Sequence, residues 1–193
     1  MNPSLVIGSL DTDYGPLSVA VVVGDHSALS ALAHAAAVAG PARHDEPVVV
    51  ASGWIDIEVL LERVDESVVA LPRISGDLPE SVVCAVLAWN AGDGSALDSV
   101  AVAQAGGEFR QHAWTALREV PGGTVVTYSE LAELAGNSKA SRAAGSACAT
   151  NVVAPFVPCH RVVQAGGRVG NYAYGPDLKT SILVREGAIL ALT

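Results

Sequence analysis

Long apolar runs are missing from this 193-residue chain. Nothing reaches the roughly 18 residues of a membrane-spanning helix, and the most apolar stretches, 17–23 and 31–39, are broken or bounded by Gly, Asp or His. The first residues lack a basic cluster, and Asp11 and Asp13 follow early, so neither a secretory signal nor a transit peptide is read there. A cytoplasmic protein with no membrane partner is expected. Cysteine is scarce: Cys84, Cys148 and Cys159 are odd in number and show no Cys-x-x-Cys spacing. That excludes a disulfide framework and a four-cysteine zinc site. His26, His34, His44, His112 and His160 form no close pair of the kind metal-binding helices carry. No metal and no cofactor are expected. Charged residues are only 16% of the chain and apolar ones 50%, which excludes the composition of a disordered chain.

Basic side chains are nearly absent from the first half. Residues 1–106 hold Arg43, Arg63 and Arg73 against fourteen acidic residues, a balance of -11, whereas residues 107–193 hold eight basic against six acidic, a balance of +2. The overall charge of -9 therefore conceals a second half that can face nucleic acid. The predicted architecture is α/β (α+β): an acidic N-terminal α/β domain over 1–106, then a mostly helical domain over 107–193. In the first half, residues 5–10 and 17–23 read as a hairpin about Asp-Thr-Asp-Tyr-Gly-Pro, 27–39 as an Ala-rich helix, 48–51 as a strand and 81–90 as a helix. Residues 97–107 read as a linker, and Cys84 as an inert buried thiol.

In the second half, Phe109, Ala113, Trp114, Leu117 and Val120 form one helical stripe stopped by Pro121-Gly122-Gly123. Thr127 and Glu130 have the spacing of a capping box opening a short helix. Ser138 is read as the cap of a second helix over 139–150, so the pair makes a helix-turn-helix. The second helix is built of Ala, Ser and Gly with Arg142 as its long side chain, a composition that suits either close helix packing or close approach to another surface.

Cys159 and His160 are adjacent. A thiolate is the reactive form of cysteine and an imidazole can take its proton, but in an extended strand the two side chains diverge, so a bend after Pro158 or a bridging water is required. A third group orienting the imidazole would complete a triad. Glu186, at the unfavourable C-terminal end of a helix predicted over 177–186, is a candidate.

Val157-Pro158-Cys159-His160-Arg161-Val162-Val163 resembles the active-site signature of the O6-alkylguanine-DNA alkyltransferases, also called methylated-DNA–protein-cysteine methyltransferases. Phe109 to Trp114, Val120-Pro121-Gly122-Gly123-Thr124, Tyr128, Ser141-Arg142-Ala143, Asn151, Gly170-Asn171-Tyr172, Lys179 and Arg185-Glu186-Gly187 follow in the family's order. The likeness is specific over 107–188; before that only Asp13 to Leu17 resembles the family's early hairpin. The resemblance implies a DNA repair protein that flips O6-methylguanine from duplex DNA and moves the methyl group irreversibly to Cys159, one group per molecule. By the same resemblance His160 deprotonates Cys159 through a water, Glu186 holds His160, Asn151 belongs to the catalytic set and Tyr128 gives a proton to the departing guanine. Arg142, Ser141, Lys139, Ala143 and Tyr128 would meet double-stranded DNA through the minor groove, and Val162, Asn171, Tyr172 and Ala173 would surround the base. The partner is DNA carrying O6-alkylguanine, and the protein is expected to be a monomer in solution; the resemblance leaves cooperative loading on DNA open. The alternative is a non-enzymatic protein that flags alkyl damage. A regulator would need a sensor domain, and a cysteine hydrolase would turn over repeatedly. Val152 stands where the family often has Pro, Tyr174 and Pro176 occupy a stretch usually richer in Gly, and Thr180 and Ser181 follow Lys179 where further basic residues are usual. DNA affinity is expected to be modest and strongly salt-sensitive.

Overall fold

The computed structural model describes residues 2–25, 46–74 and 76–188. The Ala-rich helix expected over 27–39 lies outside these residues. Strands β1 (Ser4–Thr12) and β2 (Gly15–Val23) pair antiparallel about a two-residue turn, with Thr12 opposite Gly15. Gly15 has φ 100°, the left-handed backbone that such a turn needs and that glycine accepts without cost. Next along the chain come β3 (Val48–Gly53), helices α1 (Ile57–Leu61) and α2 (Glu66–Val69), β4 (Arg73–Ile74), α3 (Glu80–Asn90), a 3-10 turn (Ala96–Ser99) and β5 (Ala101–Val102). The sheet order is β4-β1-β2-β3-β5, and the two edge strands join parallel to their neighbours.

Side chains alternate across a strand, so a strand that is apolar at every position is covered on both faces. In β2, Leu17, Val19 and Val21 enter one core while Ala20 and Val22 enter another. Leu60, Leu61 and Val68 of α1 and α2 cover the second face. The first face packs on Val82, Val86 and Trp89 of α3 and on the helices that follow.

Those helices are α4 (Glu108–Arg118), α5 (Tyr128–Leu134), α6 (Ser141–Thr150) and α7 (Pro176–Arg185); β6 (Val126–Thr127) and β7 (Val162–Val163) form a short parallel pair. The stripe predicted on α4 is buried at Ala113, Trp114, Leu117 and Val120, and the Trp114 indole donates to the Ala147 carbonyl of α6 at 2.9 Å. The capping box forms: Glu130 N donates to Thr127 Oγ1 and Thr127 N to Glu130 Oε2. The helix-turn-helix pair is thus α5 and α6.

Three local expectations change. Ser138 does not cap α6; Ala140 N closes a turn onto the Asn137 carbonyl and the helix begins at Ser141. The segment read as a linker carries the 3-10 turn and β5, which bonds to β3, and Arg118 holds it through Asp98 O (2.7 Å) and Val100 O (3.0 Å). Cys84 is exposed, not buried. Residues 82–89 are apolar throughout, so the sequence does not mark which face turns inward; Val82, Val86 and Trp89 take the core and leave Cys84 and Leu87 outside.

The second half is fastened to β3 by Ser52 N to Val152 O (2.8 Å) and Ser52 Oγ to Ala154 O (2.8 Å). Beside them Tyr174 lies over Gly53, where a Cβ would stand 1.9 Å from the phenol oxygen. Gly53→Ala must therefore displace Tyr174, at a cost of roughly 1–3 kcal/mol for overpacking. Thermal unfolding should show a loss of several degrees in Tm. An unchanged Tm would mean that Tyr174 is not seated there.

Candidate active site

Pro158 ends an apolar run and the chain turns into one 3-10 turn, Cys159–Arg161. With three residues per turn, successive side chains splay by about a third of a circle rather than to opposite sides. The bend that adjacent Cys159 and His160 require is thereby supplied. Cys159 is 6% exposed; its sulfur accepts a hydrogen bond from Asn151 Nδ2 at 3.1 Å. Burial pushes the thiol up, and the Asn151 hydrogen bond with the nearby Lys179 charge pulls the other way without prevailing. At rest it is a protonated thiol that needs a base.

His160 is fully buried, and its Nε2 lies 3.1 Å from Glu186 Oε1. Glu186 also accepts from Arg161 Nε (3.0 Å) and Nη2 (2.8 Å), and the Trp89 indole approaches Oε1 at 3.4 Å. Burial raises the Glu186 carboxyl, but the bonds from His160 and Arg161 overcome it and bring it down to about 2. Burial lowers His160; the hydrogen bond and charge of Glu186 oppose this without prevailing, and Arg161 and Lys179 add to the lowering. Because Arg161 already balances Glu186, the imidazole is neutral, with its proton on Nε2 toward the carboxylate. Its other nitrogen, Nδ1, is buried and has no hydrogen-bond partner among the described residues. A neutral base and a thiol thus sit on consecutive residues of one 3-10 turn.

A cavity of about 340 Å³ opens at Cys159, lined by Tyr128, Gly145, Cys148, Ala149, Asn171, Tyr172 and Ala173. Tyr128, Asn171, Tyr172 and Ala173 thus share one cavity with the sulfur. Burial raises both the Tyr128 and Tyr172 phenols, and the Tyr172 hydroxyl has no partner among the described residues. His160, Glu186 and Asn151 stand behind the wall rather than in it. Val162 does not line the cavity; its side chain is buried and its carbonyl accepts from Lys179 Nζ at 2.6 Å.

On α6, Arg142, Ser146 and Ala149 are exposed and spaced as one helical face, while Ala144 and Ala147 pack inward. The small side chains therefore serve both close packing and an unobstructed outer face. Lys139 is exposed in the preceding turn, and Ser141 Oγ lies 3.3 Å from Ser129 Oγ. Ala149 belongs to the outer face and also to the cavity lining, so the two surfaces are continuous. Ala143 is half-buried.

Two positions went unassigned from sequence. Lys179 is 1% exposed and ties Val162 O to Asn171 O (3.3 Å), joining the turn after Cys159 to the loop over the cavity. Arg161 holds Glu186 and reaches Gly94 O in the first half at 2.8 Å. Neither role has a local signal, because each partner is remote in sequence. Among the described residues, no group of three or more His, Cys, Asp or Glu side chains is placed to hold a metal ion, and no helix is long and apolar enough to cross a membrane.

Residues 108–188 match the family model described as "6-O-methylguanine DNA methyltransferase, DNA binding domain". A methylated-DNA–protein-cysteine methyltransferase of Methanosarcina acetivorans is 46% identical over 101 residues, 52% of this chain and 64% of that protein. One of Shigella flexneri is 36% identical over 118 residues, 61% of this chain and 69% of that protein. The match thus spans about two thirds of these relatives. The crystal structure of Mycobacterium tuberculosis OGT in complex with DNA superposes with a TM-score of 0.65 at 25% identity, covering 94% of this chain and 92% of that one. By its likeness to the Shigella flexneri protein, more than two thirds of which it covers, the chain belongs to the methylated-DNA–protein-cysteine methyltransferase family.

Proposed function

We propose that this protein repairs DNA by flipping O6-methylguanine out of the duplex and taking its methyl group onto Cys159, once per molecule. The observation that carries this reading is the continuity between the outer face of α6 and the cavity at Cys159. Chemistry on a paired base requires turning it out of the stack at a cost of a few kcal/mol. A helix that can lie in a groove and ends at a thiol-floored cavity serves both needs. The minor groove is only about 6 Å wide, which suits a face of Ser146 and Ala149 with Arg142 as the one long side chain, filling the space the base leaves.

In the transfer step His160 Nδ1 takes the Cys159 proton through a water, and the imidazolium that forms is balanced by Glu186. The thiolate attacks the methyl carbon, a sulfur–carbon bond forms and the carbon–O6 bond breaks. The guanine anion then takes a proton from Tyr128 at the ring edge. Asn171, Tyr172 and Ala173 enclose the base. Thioether formation is not reversed by these groups, so the protein is spent. It acts as a monomer with no cofactor.

Intact mass after incubation with a short duplex containing one O6-methylguanine tests this. One gain of about 14 Da, mapped to Cys159 and absent with undamaged duplex, is expected of covalent capture. Lesion-selective binding without a mass gain would replace this reading with damage flagging. Arg142→Ala should slow transfer from duplex about tenfold or more while leaving transfer from free O6-methylguanine unchanged. An equal loss on both substrates would remove Arg142 from the flipping step.

A further inference from the structure

The segment before α4 reaches the reactive sulfur by a route that no nearby sequence signal marks. Gln104 is 5% exposed, and its carboxamide meets that of Asn151, which is 3% exposed. Gln104 Nε2 donates to Asn151 Oδ1 at 3.1 Å, and Asn151 Nδ2 donates to Val157 O at 2.8 Å and to Cys159 Sγ at 3.1 Å. A carboxamide can turn over at little cost unless its neighbours dictate which end is oxygen. Here two backbone amides dictate it. Val153 N can only donate, so the Asn151 atom 3.1 Å away is the oxygen. Val152 N, also 3.1 Å from its partner, fixes Gln104 Oε1 in the same way. Gln104 must then offer its NH2 to Asn151, and Asn151 must offer its own to the sulfur. The main chain of Gln104 is itself held, its carbonyl accepting from Gln111 Nε2 of α4 at 3.0 Å.

We propose that Gln104 is a positioning residue for Cys159, holding the Asn151 carboxamide in the orientation that presents an N–H to the sulfur. An N–H aimed at sulfur is worth more to a thiolate than to a thiol, because hydrogen bonds to an ionised acceptor are the stronger ones. Gln104 touches neither the base nor the methyl group; it acts through Asn151. This deepens the function proposed above and rests on it only where methyl transfer is measured.

The other groups that bear on the sulfur sit on separate elements: His160 beside it, Tyr128 on α5, Cys148 on α6, Tyr172 and Tyr174 on the cavity loop, Lys179 on α7, and Arg63 after α1. None of them hydrogen-bonds to Gln104, whose partners are Asn151, Gln111 and Val152. Gln104→Glu keeps an acceptor for Val152 N but sets a carboxylate against Asn151 Oδ1. Turning the asparagine over would relieve that contact only by setting its NH2 against Val153 N and its oxygen against Val157 O, so the change loosens the carboxamide and weakens the N–H it presents to the sulfur. Gln104→Met removes the donor and adds no charge.

The test is the pH dependence of iodoacetamide capture at Cys159, followed on the Cys159 peptide so that Cys84 and Cys148 do not contribute. It is paired with single-turnover methyl transfer and the Kd for lesion duplex. Gln104→Glu should move the capture profile up by about one pH unit and slow transfer about tenfold at pH 7, with Kd unchanged. Gln104→Met should shift it in the same direction by less. On an Asn151→Ala background the uncharged Gln104→Met should not shift the profile further, an epistasis that a merely structural glutamine would not produce. A Gln104→Glu protein with a normal thermal transition and a wild-type profile overturns the proposal. If that variant does not fold, an unshifted Gln104→Met profile does so instead. Shifted capture profiles beside a wild type that takes no methyl group from DNA would uphold the positioning role and reject the proposed repair reaction.

Discussion

Cys159→Ala protein should bind a lesion-containing duplex as the wild type does and acquire no methyl group at all. The sulfur is the proposed acceptor, and its removal leaves the surrounding bonds in place. Asn151 Nδ2 keeps the Val157 carbonyl at 2.8 Å, and His160 keeps Glu186. The side chain lost is small and lines a cavity already, so the stability cost should be about 1 kcal/mol. Folding and reactivity separate cleanly for that reason. Cys148 lines the same cavity, but burial raises its thiol, so it stays protonated. It should not substitute. Gel-shift affinity with intact mass on the same samples checks both halves of the prediction, and a methylated Cys159→Ala protein would end the assignment of the acceptor.

Glu186→Gln should be the more damaging change to the fold. The carboxylate answers two buried donors, and a neutral amide would leave the Arg161 guanidinium, 3% exposed, without its counter-charge. Breaking a buried pair from one side costs roughly 3–5 kcal/mol. Transfer should fall by about 10²–10⁴, the usual contribution of a positioned acid–base group. The pH dependence of the wild type carries the same signature. Glu186 is held down to about 2 in the folded protein, against an ordinary value of 4.5, so its stabilising contribution is present above 4.5 and drains away as pH falls toward 2. His160 is also depressed, from 6.5, because its burial favours the neutral ring. The unfolded chain then binds the extra proton, and stability falls as pH drops below 6.5. Both effects have one sign. Urea unfolding between pH 7 and pH 3 should show a steady loss in the wild type and a shallower one below pH 4.5 in Glu186→Gln; identical slopes there would remove Glu186 from the pair.

What could be read in advance was what the chain repeats locally. The α4 stripe, the Thr127 and Glu130 cap and the hairpin about Gly15 each declare themselves within a few residues. Cys159, His160 and Glu186 were legible through a signature and a misplaced carboxylate. The phase of α3 was not, because Val82 to Leu87 is apolar on every side, and Cys84 went to the wrong face. Gln104, Lys179 and Arg161 were unreadable for a different reason. Each satisfies a backbone carbonyl or a carboxamide far away in the chain, and polar residues that are buried by such bonds look, in one dimension, like surface ones.

The two halves differ by composition, yet Arg161 borrows Gly94 O, Arg118 borrows Asp98 O and Val100 O, and Glu186 is approached by Trp89. Each lender lies before residue 107. A fragment beginning there would keep Cys159, His160 and Glu186 but leave Arg118 with only Phe156 O and take Gly94 O from Arg161. The acidic half is therefore tied into the same polar network as the reactive half, and the boundary that charge draws through this chain is one that its hydrogen bonds cross.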